Sequence, residues 1–115
     1  MKKVSTFVAI IYVGLKNRDN DLVYDLGLIE GICQKYCDKI GLCVTVTPTK
    51  FIYTNGNEPG AAIGFINYPR FPERARSIRK KVMELAKLLL IGCKQYKVSV
   101  VFKNKTMMLE RNKDD

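Results

Sequence analysis

The sequence contains no histidine and no tryptophan, and it is poor in acids: eleven Asp and Glu stand against twenty Lys and Arg, a formal charge of +9. Without histidine there is no Ser-His-Asp or Cys-His arrangement, none of the usual histidine-containing zinc sites, and no histidine general base. Any catalysis must rest on carboxylates, thiols or lysines. Also missing are a low-complexity linker, an internal repeat and an apolar run long enough to cross a bilayer. Met1-Lys2-Lys3 and the apolar run Phe7 to Leu15 imitate a signal peptide, yet Lys16, Asn17, Arg18 and Asp19 follow directly, with no small-residue cleavage site. The chain therefore reads as a cytoplasmic protein with no membrane contact. Its four cysteines (Cys33, Cys37, Cys43 and Cys93) read as reduced thiols, mainly in the core.

What is present suits one domain spanning 1–115. That length buries a core without help from disulfides or metals, and 47% hydrophobic content excludes disorder. Val4 to Leu15 is apolar at both parities, the pattern of a strand in the middle of a sheet. After possible N-caps at Asp19, Asn20 and Asp21, the residues Leu22, Leu26, Ile29, Cys33, Tyr36 and Ile40 form one helical stripe that stops at Gly41. Leu42 to Thr47 alternates as a half-buried strand, and Pro48 assigns that strand to an edge. Asn55-Gly56-Asn57 marks a hairpin turn, with Ala61 to Tyr68 as the returning strand. Pro72 suits the first turn of a second helix, whose stripe is Ala75, Ile78, Val82, Leu85 and Leu89. Val98, Val100 and Phe102 alternate as a last strand, and Asn104-Lys105 can turn into a short strand through Leu109.

These patterns predict strands near 4–15, 42–54, 61–68 and 97–103, and helices near 21–40 and 72–91. The order βαββαβ implies an α+β, ferredoxin-like domain: a four-stranded antiparallel sheet with both helices on one face, strands one and three central. The face without helices is apolar too. A final hairpin, a second subunit or a ligand is expected to cover it, which favours a homo-oligomer.

The surplus of cations either aids solubility or answers an anionic partner. It is densest from Arg70 to Lys81, with six cations and one carboxylate. Cations at a helix start oppose the macrodipole, a cost an anion placed there would offset. Arg70, Arg74 and Arg76 are candidate ligands for an anionic nucleotide or an acidic host protein, with Tyr68 and Phe71 available for stacking; a solvated helix face is the alternative. A second reading is single-stranded RNA binding on the open sheet face. Ile11-Tyr12-Val13-Gly14 and Gly64-Phe65-Ile66-Asn67-Tyr68 are similar to the two strand signatures of RNA recognition motifs, which nominates Tyr12 and Phe65. Ile63 and Ala61 depart from that pattern. A third is a metal-dependent phosphodiesterase using Asp19, Asp21 and Asp25, residues that equally suit helix capping. Gly27 and Gly31 leave a bare strip on the first helix. On balance a binding protein is favoured over an enzyme, with no cofactor and no metal.

The phrases Tyr36-Cys37-Asp38-Lys39-Ile40-Gly41-Leu42-Cys43 through Thr54, Glu58-Pro59-Gly60, and Asn67-Tyr68-Pro69-Arg70-Phe71-Pro72 resemble small phage and prophage proteins without an established activity. The resemblance implies a phage accessory protein acting in the host cytoplasm. It further implies an anti-defence role, through binding a defence protein or sequestering its nucleotide signal.

Overall fold

The computed structural model describes residues 1–112. It is a mixed α+β domain with strands β1 (Val8–Gly14), β2 (Thr45–Tyr53), β3 (Gly56–Ile66), β4 (Lys97–Phe102) and β5 (Thr106–Glu110), and helices α1 (Leu26–Ile40) and α2 (Ala75–Gly92). The sheet is antiparallel throughout, in the order β2-β3-β1-β4-β5. The expected four-stranded sheet is corrected to five. After Phe102 the backbone turns through Lys105, whose carbonyl accepts from the Phe102 amide at 2.8 Å, and returns as β5 along the outer side of β4. β4 is therefore not an edge. The final hairpin widens the sheet and does not cover its open face.

Both parities of β1 are apolar, and the helices decide which one is buried. Ala9, Ile11 and Val13 lie within 1% of full burial, alongside Ala61, Ile63 and Phe65 of β3 and Val98 and Val100 of β4. Ile29, Cys33 and Tyr36 of α1 and Ile78, Val82, Leu85 and Leu89 of α2 close over them. The opposite parity, Val8, Ile10 and Tyr12, faces away, with Val8 and Tyr12 exposed.

Two helix starts fall later than their patterns indicate. Leu22 and Val23 are outside α1, because Asp21 takes a left-handed conformation (φ 60°) and Lys16 bridges to Val23. Asp25 caps the helix instead, its carboxylate accepting from the Gly27 amide at 3.0 Å. Residues 67–73 are held off helix by Asn67, whose side chain accepts from the Glu73 amide and donates to the Ser5 carbonyl. The C-terminal stop of α1 is as expected: Gly41 (φ 71°) donates its amide to the Cys37 carbonyl at 2.9 Å. No described atom lies near a side chain added at Gly31, but one at Gly27 would lie 2.8 Å from the capping Asp25 carboxylate, so the strip is bare only at Gly31.

The hairpin turns earlier than expected. Tyr53 pairs with Gly56, which leaves Thr54 and Asn55 as the turn and Asn55 left-handed (φ 64°). β3 therefore begins at Gly56, and its first four residues, before Gly60, run past the end of β1 with β2 as their companion.

All four cysteines are free thiols. Burial pushes the Cys33 thiol up to about 12 and the Cys93 thiol up to about 11. Because the folded values are raised, their contribution is fully present below the unfolded thiol value and is lost as pH rises through the folded ones. Stability measured by urea midpoint should therefore fall between about pH 9 and 12. A midpoint that rises over that window would contradict the burial of both thiols.

Candidate functional site

The residues nominated around the second helix are brought to one end of the sheet but divided between two surfaces. Tyr68 and Phe71 flank a cleft of about 270 Å³ that is also lined by Leu42, Cys43, Ile66 and Glu73. Burial, followed by a hydrogen bond with Cys43, raises the Tyr68 hydroxyl. Arg70, Arg74 and Arg76 are exposed and do not line this cleft. Arg70 stacks over the Phe71 ring at 5.4 Å, and Arg74 occupies the N-cap of α2 with no side-chain hydrogen bond to the helix. Glu73 is bound on both oxygens by Lys81, at 2.7 and 2.8 Å, and accepts from Ser77. Burial alone would raise this carboxyl, but the Lys81 and Ser77 hydrogen bonds hold it below the usual range.

The open-face pair Tyr12 and Phe65 is not formed. Tyr12 pairs with Ala62 on the open face, whereas Phe65 pairs with Ala9 on the helix-covered face and is 1% exposed. Three residues separate Ala9 from Tyr12, an odd number, so strand pleating puts them on opposite sides. Nor do the three aspartates gather. Asp19 accepts from the Tyr96 hydroxyl, Asp21 lies 3.7 Å from Lys16, and Asp25 caps α1. Among the described residues no three His, Cys, Asp or Glu side chains are placed to hold a metal ion.

A different group forms at the other end of the open face. Phe51 and Glu58 are cross-strand partners, and Phe51 meets Tyr12 edge-on at 6.3 Å. Two glycines lie beneath these side chains. Gly14 pairs with Gly60, and a Cβ at Gly60 would collide with the Phe51 ring and the Val13 carbonyl. A Cβ at Gly14 would lie 2.8 Å from the Gln95 Oε1 and 3.6 Å from the Glu58 Oε2. Gln95 is fixed there, because its amide donates to the Lys16 and Cys93 carbonyls at 2.6 and 3.0 Å. Arg18, from the loop after β1, donates to Glu58 at 3.1 Å and holds a carboxylate whose side chain is 16% exposed.

The result is a cluster on the open face, in which two aromatic rings, one half-buried carboxylate and one carboxamide oxygen pack over two glycines. Such a set can stack a planar base, attract a cation to the ring faces and accept hydrogen bonds from hydroxyl or ammonium groups. Of its members only Tyr12 stood out in the sequence. Glu58 and Phe51 become visible once the β2–β3 register is fixed, since only then do they fall opposite one another on the face that carries Tyr12.

No family model matches the sequence, and no curated protein matches it. Solved structures do. A phage SAM lyase in complex with S-methyl-5′-thioadenosine superposes with a TM-score of 0.75 at 18% identity, covering 96% of this chain and 95% of that one. A phage SAM lyase in the apo state gives 0.69 at 18% identity, covering 97% and 96%. At this identity the likeness establishes a shared fold over essentially the whole of both chains.

Proposed function

We propose that this protein is a phage accessory enzyme that cleaves S-adenosylmethionine (SAM) to S-methyl-5′-thioadenosine, with the Tyr12–Phe51–Glu58 cluster as its substrate site. The observation that carries the reading is the whole-chain fold match to a phage SAM lyase, one structure of which holds S-methyl-5′-thioadenosine. The site chemistry supports it. SAM presents a planar adenine, ribose hydroxyls, an ammonium group and a sulfonium cation. Aromatic walls suit the base and the sulfonium, and Glu58 suits the ammonium or the hydroxyls. The product carries no phosphate, so this site has no need of the arginines at the far end of the sheet.

A lyase step of this kind is compatible with a chain that has no histidine. The substrate's own carboxylate attacks the methylene carbon bonded to sulfur, the carbon–sulfur bond breaks, and its electron pair goes to sulfur. S-methyl-5′-thioadenosine leaves, and the amino-acid part closes as a lactone. No proton is abstracted, and no water, metal or oxidant enters. What the protein must supply is a folded-back substrate conformation, since holding reacting groups within about 3–3.5 Å is worth several kcal/mol of barrier. Opposite charges are lost as the transition state forms, so a site walled by Tyr12 and Phe51 favours that step over bulk water. Depleting a methyl donor also fits the anti-defence role implied by the phage resemblance.

The test is direct. Purified protein incubated with SAM should yield S-methyl-5′-thioadenosine by chromatography; intact SAM after prolonged incubation at high enzyme concentration would sink the proposal.

The cluster lies on the face away from the helices, where Val8, Tyr12, Ile66 and Met108 are exposed. A face of this kind is seldom left bare by a monomer, so a second copy of the chain is the proposed cover. Light scattering should report an oligomer. A monomer at every concentration tested would remove that part of the proposal and leave the face open.

A further inference from the structure

The formal charge of +9 finds no use at the Glu58 cluster, and the fold places much of it elsewhere. Val8 pairs with Ile66 and Ala9 with Phe102, so the start of β1, the end of β3 and the end of β4 lie side by side. The basic segment before α2 leaves from the end of β3, and the β4–β5 turn carrying Lys103 and Lys105 leaves from the end of β4. Gly14 and Gly60 mark the opposite end, where Glu58 lies.

At this basic end Arg79, Lys103 and Lys105 line one groove of about 740 Å³, whose apolar walls include Val8, Ile10 and Phe102. Arg79 stacks over the Phe102 ring at 5.7 Å, as Arg70 does over Phe71 at 5.4 Å. The acid within this segment, Glu73, is occupied by Lys81 and Ser77, and among the described residues no ion pair joins a carboxylate to Arg70, Arg74, Arg76 or Arg79. Phe71 is 60% exposed beside Arg70.

From these we infer that the basic end of the sheet is a binding surface for single-stranded nucleic acid, separate from the cluster at Glu58. A guanidinium held over a ring is partly oriented in advance, and its outward edge matches phosphate oxygens two at a time. Arg79, Lys103 and Lys105 track the backbone. Phe71, outside this groove but 60% exposed ahead of the same helix, offers a ring to a base, the pairing of cation track and exposed aromatic that single strands use. An acidic protein surface would use the same charges but carries no bases to stack on that ring.

The experiment is fluorescence anisotropy of a labelled oligothymidylate of about twenty nucleotides, titrated between roughly 50 and 200 mM salt. The wild type should bind with a linear dependence of log K on log salt. Replacing Arg79, Lys103 and Lys105 together by alanine should flatten that slope by about two, since each phosphate lost from a single strand contributes about 0.7. Phe71→Ala should weaken binding with the slope unchanged. Circular dichroism melts of both variants separate lost contacts from lost folding. No binding at the lowest salt, an unchanged slope in the folded triple variant, or equal binding of polyglutamate would each overturn the inference. SAM cleavage by the triple variant should equal the wild type, so this assay and the lyase assay fail independently.

Discussion

Glu58→Gln should lower the rate of S-methyl-5′-thioadenosine formation about ten- to a hundredfold while shifting stability by less than about 1 kcal/mol. The two magnitudes have separate origins. A charge-assisted hydrogen bond from a half-buried carboxylate to a substrate ammonium or hydroxyl contributes about 1.5–3 kcal/mol, which sets the loss in rate. The ion pair with Arg18 is lost as well, but the Arg18 side chain is 41% exposed, so solvent screens most of that pair's worth. Tyr12→Ala should weaken substrate binding by about 1–3 kcal/mol through loss of a stacking face, again with little effect on folding. Progress curves at saturating and at limiting SAM, with urea melts of each variant, check both expectations. A Glu58→Gln enzyme of wild-type kcat/KM would remove Glu58 from the site.

Phe65→Ala should cost about 3–5 kcal/mol of folding free energy. The ring lies on the helix-covered face at 1% exposure, and its cross-strand partner Ala9 is too small to fill the space it would leave. Against a typical domain stability of about 5–15 kcal/mol, that loss moves the urea midpoint far toward zero. The result also bears on RNA binding. A stacking residue on an open face loses ligand affinity and keeps its fold, whereas Phe65 should lose the fold. A urea midpoint like that of wild type would contradict its burial.

The core was legible from periodicity. Ala9, Ile11 and Val13 alternate, Ile78, Val82, Leu85 and Leu89 recur at helical spacing, and each set is buried as its period requires. What periodicity could not give was register. The Asn55-Gly56 pair suggested a turn one residue too late, because Asn55 alone takes the left-handed conformation and Gly56 already pairs with Tyr53. That displacement places Glu58 in a loop, away from Phe51 and Tyr12, and so conceals the cluster. The start of α2 was misjudged for a related reason: Pro72 is compatible with a first turn, but a tertiary hydrogen bond from Glu73 to Asn67 holds the chain off helix until Ala75. Likewise the arginines were legible as a charge run, while their division from the Tyr68–Phe71 cleft depends on where α2 begins. Lys103 and Lys105, far away in sequence, join Arg79 only through strand pairing.

Pro48 has a consequence for how copies of this chain can meet. It stands inside β2, the outermost strand on one side of the sheet, and inside a strand proline is tolerated only where no ladder amide is required. The amide missing at Pro48 is therefore one that an incoming strand would have needed. On the other side the outermost strand is β5, five residues long, too brief a template for extended pairing. Neither border of the sheet can be continued from molecule to molecule into a ribbon. Crowding such molecules should raise the population of closed, face-packed assemblies without seeding fibres, and concentrated solutions should stay clear and negative for thioflavin fluorescence.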